Sequence, residues 1–147
     1  MLLSYAAIKT IENSNEQEKR RRTEELAREN RDRNERLLNE IIEWASGIAK
    51  SAISRQTRDT HELWKYKLDY KYHQSKGNYI IQVIISSFAE LSKHFKDLNK
   101  NLVEAIKTNE DVIADRVSAS SLKESEEKLT QSVEAFFEEV AKIKNKM

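Results

Sequence analysis

Between Tyr79 and Val117 apolar residues recur in alternating steps of four and three: Ile84, Phe88, Leu91, Phe95, Leu98, Leu102, and then Ala105 or Ile106. A stripe with a period near 3.5 residues stays on one side of a helix only if the helix winds against a neighbour. The stretch therefore predicts one helix, packed against another along most of its length. It names no chemistry.

Composition favours helices throughout. The 147 residues include no proline and only two glycines, so few positions force a helix to stop, and Glu, Lys, Arg, Leu, Ala and Ile are abundant. The expected fold class is all-α. Charged residues make up 35% of the chain but nearly cancel, at a net +1. A domain that displaces many counterions from phosphates is as a rule strongly basic, so nucleic acid is disfavoured as a partner. The absence of cysteine excludes a disulfide scaffold and a thiolate zinc site, in keeping with a reducing cytoplasm.

Residues 1–11 (MLLSYAAIKTI) are apolar and end abruptly in charge. A membrane-spanning helix needs about 20 apolar residues, so this run alone does not span a bilayer. It lacks the basic leader and cleavage site of a signal peptide. It passes directly into a charged segment containing Lys19, Arg20, Arg21 and Arg22, and basic residues just beyond a membrane helix mark the cytoplasmic side. Over residues 1 to about 45 the order resembles that of small membrane proteins in which a short anchor precedes a cytosolic helical domain. The resemblance implies a membrane segment ahead of Met1 and a domain on the cytoplasmic face; the alternative is that residues 1–11 are a frayed or partner-docked helical start.

From Glu12 to Arg36 eight acidic and eight basic residues alternate, with Leu26 and Ala27 almost the only apolar members. Glu18, Glu24, Glu29 and Asp32 each stand four residues before an arginine, the orientation that supports a helix by about 0.2–0.5 kcal/mol per pair. Such a segment has nothing to bury, which predicts a solvated helical stalk over residues 3–36. At Leu37 the character changes. Leu37, Leu38, Ile41, Ile42, Trp44, Ala45, Ile48, Ala49, Ala52 and Ile53 form an apolar face broad enough for two neighbours, so the packed domain is placed at 37–147 and the stalk at 1–36. Gly47 within this face offers close approach to another helix under Trp44.

The polar interval 54–60 contains two candidate helix caps, Thr57 and Thr60, and predicts a kink near 57. The stretch from His61 to Lys76 is the most chemically suggestive, and the segment 55–79 that contains it is Lys/Tyr-rich. Arg55, Arg58, Trp64, Lys65, Tyr66, Lys67, Tyr70, Lys71, Tyr72 and Lys76 form a candidate interaction surface, suited to a protein partner or, alternatively, to nucleic acid or anionic lipid. Gly77 and Asn78 adopt left-handed backbone most readily, so the chain is expected to reverse there. Residues 118–121 (SASS) read as a second turn, with Ser121 and Glu124 as a capping box opening a last helix. Leu122, Leu129, Val133, Phe136, Val140, Ile143 and Met147 then repeat at heptad spacing.

The expected architecture is an elongated antiparallel three-helix bundle of helices 37–75, 79–117 and 122–146. The alternative is one long helical hairpin, unbroken from 79 to 147, that dimerises into a four-helix bundle. No phosphate-cradling loop is present, because the two glycines stand thirty residues apart. The residues three before His61, His73 and His94 are Arg58, Tyr70 and Leu91, so the Glu-x-x-His pairs of carboxylate-bridged metal bundles are missing. Asp69 with His73 and Glu90 with His94 lie four apart but supply only two ligands each. No enzyme activity, cofactor or metal is expected. The expected partners are helices, of a second copy or of another protein.

Overall fold

The computed structural model describes residues 2–53 and 60–147, and the side chains of these except at positions 2, 3, 53, 60–64 and 66. Arg55, Arg58 and the kink expected near 57 lie outside the described residues. Among the described residues the chain is an all-α helical bundle without strands, with α1 at Leu2–Ile53, α2 at Thr60–Ser87, α3 at Ser92–Ile113 and α4 at Ala119–Lys146. A single 3-10 turn, Ala89–Leu91, precedes α3. Two compact units divide the chain, Met1–Arg36 and Leu37–Met147.

In the first unit α1 is a solvated helix whose described side chains are almost all exposed. Of the four acid-first pairs, Glu18–Arg22 is closed at 3.4 Å, and Glu18 also reaches Arg21 at 3.1 Å. Pairs this exposed contribute little, so the helix rests on backbone hydrogen bonds and favourable helix formers.

In the second unit the helices pack antiparallel in sequence order. Between α1 and α2, Tyr79 Oη donates to Glu40 and Trp44 Nε1 to the His73 carbonyl, at 3.0 and 2.8 Å. Between α2 and α3, Lys67 meets Glu110 at 3.4 Å while Gly77 lies against Phe95 and Asn99. Between α3 and α4 a polar ladder steps by seven residues on each helix: His94 with Glu139, Asn101 with Ser132, and Thr108 with Ser125. That spacing holds the two helices in one antiparallel register.

The expected reversal at Gly77 and Asn78 does not occur. Helix α2 runs through both, and neither glycine has positive φ. Gly77 instead lies under the Trp44 ring, where an added Cβ would stand 3.4 Å from Cζ2; it serves close packing rather than a turn. The chain reverses eleven residues later. Ile80, Ile81, Val83, Ile84 and Ile85 are β-branched and lose rotamer freedom in a helix, and Ser86 and Ser87 compete for backbone hydrogen bonds. Helix α2 closes with Phe88 N–H on the Ile84 carbonyl at 2.8 Å, and Leu91 N–H on the Phe88 carbonyl at 2.9 Å makes the 3-10 turn. Phe88 and Leu91 are both buried, which pins the turn to the core. The helices expected at 37–75 and 79–117 are thus replaced by α1, α2 and α3, and the unbroken rod from 79 to 147 is excluded.

The last reversal also falls slightly earlier than expected. Helix α3 ends in a Schellman arrangement, with Asp115 N–H on the Val112 carbonyl and Arg116 N–H on that of Asp111, at 3.0 and 2.8 Å. Asp115 holds φ 58°, a position where glycine carries no Cβ penalty. Asp115→Gly is expected to raise unfolding free energy by about 0.5–1 kcal/mol, read from urea denaturation. A lower midpoint would show the Asp115 side chain to be the more important element. Ser118, not Ser121, is the N-cap of α4, and its side chain makes no capping bond.

Every member of the opening stripe is buried, Ile84 through Ile106. Trp44 is the hub of the core. From α1 it stacks on Phe95 of α3 at 5.3 Å, meets Phe136 of α4 edge-on at 6.3 Å, and covers Gly77 of α2. One level of the interior is polar. The α3–α4 register sets Asn109 opposite Glu126, both buried, between the Ala105–Leu129 and Val112–Leu122 levels. Leu122 beyond them is buried apart from the main apolar cluster.

Candidate interaction surface on the second helix

Helix α2 sorts the residues of the candidate surface into three groups. Trp64 and Tyr66 are part of the helix, but their side chains lie outside those described. Tyr70 does not belong to the surface: it is 0% exposed and part of the core. Lys67 is also drawn inward, its side chain only 14% exposed and its Nζ 3.4 Å from Glu110.

The outward group is Lys65, Leu68, Lys71, Tyr72 and Tyr79, with Lys76 half-buried at its margin. Lys71 shares Glu110 at 3.5 Å. Hydrogen bonding from Lys67, with Lys71 adding to it, holds the Glu110 carboxyl below the usual carboxylate range, and partial desolvation opposes the shift. Of the four lysines read as one basic patch, two are therefore tied across to α3. The Tyr79 hydroxyl is pinned by Glu40, and that hydrogen bond to a carboxylate raises its pKa.

Behind this face, α1 and α2 meet at His73. Its imidazole fills the space over Gly47, where an added Cβ would stand 2.7 Å from Cε1. Close approach at Gly47 is thus made by His73, and it is Gly77 that lies under Trp44. Ser51 Oγ donates to the Gly47 carbonyl at 3.1 Å and stands 3.3 Å from His73 Nε2, so the ring presents its Nε2–H to Ser51. Burial lowers the His73 pKa; Asp69 opposes this and Lys76 adds to it. The unfolded chain takes up a proton as pH falls through about 6.5, whereas the fold resists it. Stability should therefore decline as pH falls through that value, until the folded group also titrates. Thermal melts between pH 7.5 and 5.5 are expected to show a smaller drop for His73→Gln than for the parent; equal slopes would remove His73 from the linkage.

His94 does not pair with Glu90, which is exposed; it faces Glu139 across α3 and α4 at 4.0 Å. Among the described residues no group of three or more His, Asp or Glu is placed to hold a metal ion. The residues that sequence reasoning passed over are Asn109 and Glu126, whose only signal is a polar side chain at a heptad core position.

Comparison of the chain with protein-family models, with curated proteins and with solved structures finds no match.

Proposed function

We infer that the chain is a non-enzymatic helical interaction and oligomerisation module, the cytosolic domain of a membrane-anchored protein. The observation that supports this reading is on α1. Tyr5, Ile8 and Ile11 recur every three residues and are all more than half exposed, so the apolar side chains of the first unit have nothing within it to bury against. Such a stripe is satisfied by another helix or by lipid. Among the described residues no helix is long and apolar enough to cross a membrane, and the proposed anchor is a segment ahead of Met1 of which residues 2–11 are the continuation.

Cell fractionation of the full-length protein tests the anchor. After a high-salt wash, which screens attraction between exposed charges, the parent is expected in the membrane fraction, and removal of its sequence through Arg36 should release it. Unchanged membrane fractionation after that deletion would contradict the anchor. Sedimentation velocity of the 147-residue chain tests self-association, with a species heavier than 17.2 kDa expected and a strict monomer contradicting it.

A further inference from the structure

The outward face of α2 has an order that the sequence alone does not reveal. At 100° per residue, Leu68, Tyr72 and Tyr79 fall within about 40° of arc. Lys65 and Lys76 lie along one flank of that arc and Lys71 along the other. The three central side chains are 63%, 63% and 52% exposed. The opposite face, with Tyr70, Ile80 and Ile84, is locked in the core, so α2 cannot roll to hide them. An apolar and aromatic strip edged on both sides by lysines is the arrangement of a helix lying in a membrane interface, its rings at headgroup depth and its ammonium groups among phosphates.

We propose that this face of α2 docks on an anionic lipid surface. Lys65 and Lys76 supply most of the attraction to a negative surface, because Lys71 shares Glu110, Asp69 lies next to Lys76 on the same flank, and Glu40 accepts from Tyr79. A lipid surface suits it better than a protein, since three central side chains are few against the roughly 800 Å² that each partner buries in a stable protein interface. It also suits it better than nucleic acid, whose binding rests on many neutralised phosphates while this chain carries a net +1. The proposal stands on α2 alone and does not depend on the N-terminal segment reaching a bilayer.

The chain has no cysteine, so a single introduced thiol reports one place. Ser75→Cys puts an environment-sensitive fluorophore between Tyr72 and Tyr79, Gln131→Cys puts it on the exposed side of α4, and Ser4→Cys puts it on α1. With phosphatidylcholine vesicles containing phosphatidylserine, the label at 75 is expected to blue-shift and to be quenched by spin-labelled lipid. The label at 131 should not respond, nor should either with phosphatidylcholine alone. Lys65→Glu with Lys76→Glu should abolish the shift while leaving the helical circular dichroism unchanged. No shift at 75, an equal shift at 131, or a response at 75 only to an oligonucleotide or to added unlabelled chain would overturn the proposal. A response at 4 without one at 75 would overturn it while leaving the anchor reading intact.

Discussion

Trp44→Ala is expected to lower the unfolding free energy by about 3–5 kcal/mol, the range for deleting a large buried aromatic side chain. Small domains are stable by about 5–15 kcal/mol, so one substitution should remove a large part of the margin. The size of the effect follows from what the indole touches. It contacts all three other helices, and its removal opens a void bordered by Phe95, Phe136 and Gly77, which rigid helices cannot collapse to fill. Trp44→Phe should cost much less, since a ring still covers Gly77 and the loss is part of the stacking area and the 2.8 Å bond from Nε1 to the His73 carbonyl. Urea denaturation followed by far-ultraviolet circular dichroism reads both. A loss near 1 kcal/mol for the alanine variant, typical of an ordinary substitution, would mean that Trp44 is not the hub of the core.

The second large effect has the opposite sign. Asn109→Leu should stabilise the bundle by about 1–3 kcal/mol, because a buried amide without hydrogen-bond partners carries its full desolvation cost. Asn109 is fully buried, and neither its Oδ1 nor its Nδ2 has a partner among the described residues. Leucine has nearly the same shape and would join the Ala105 and Leu129 level to Leu122. Polar residues at such positions commonly fix register at a cost in stability. Here the ladder of Asn101, Thr108 and His94 already supplies register, so the variant is expected to keep its fold. A destabilised variant would show that the Asn109 amide is satisfied in solution.

Much of the interior is legible from residue spacing, and the particular errors have physical causes. All eight members of the stripe from Ile84 to Ile106 are buried, yet the helix that was to carry them is broken at Phe88. A period near 3.5 residues reports which side chains face a neighbour. It is blind to a reversal that brings the same phase back on the returning helix. Gly77 is ambiguous for a related reason: glycine favours turns and close contacts alike, and only the Trp44 ring above it decides between them. The stop at Ser86 to Phe88 has no Gly, Pro or Asn; it falls where two serines that compete for backbone hydrogen bonds follow a β-branched run and the buried Phe88 ties the turn to the core. Tyr70 and Tyr72 are indistinguishable by residue type, and the direction of each depends on how α2 is rotated against α1 and α3. Glu126 and Asn109 give no signal because a polar residue at a core position reads as the absence of a pattern.

The core and the exposed lysine-edged face both depend on α2 continuing through Gly77 and reversing at Phe88. Spin labels on Ser75→Cys and Val103→Cys, both exposed, test that directly. With the reversal at Phe88 the two positions lie at the same level of adjacent helices, whose axes pack about 8–10 Å apart, so the labels should fall within about 20 Å. With a reversal at Gly77 and one helix from 79 to 117, Val103 would stand 24 residues beyond the level of Ser75, or about 36 Å along the axis at 1.5 Å per residue. A distance distribution centred near 20 Å or below is the predicted result; one centred near 36 Å would contradict it.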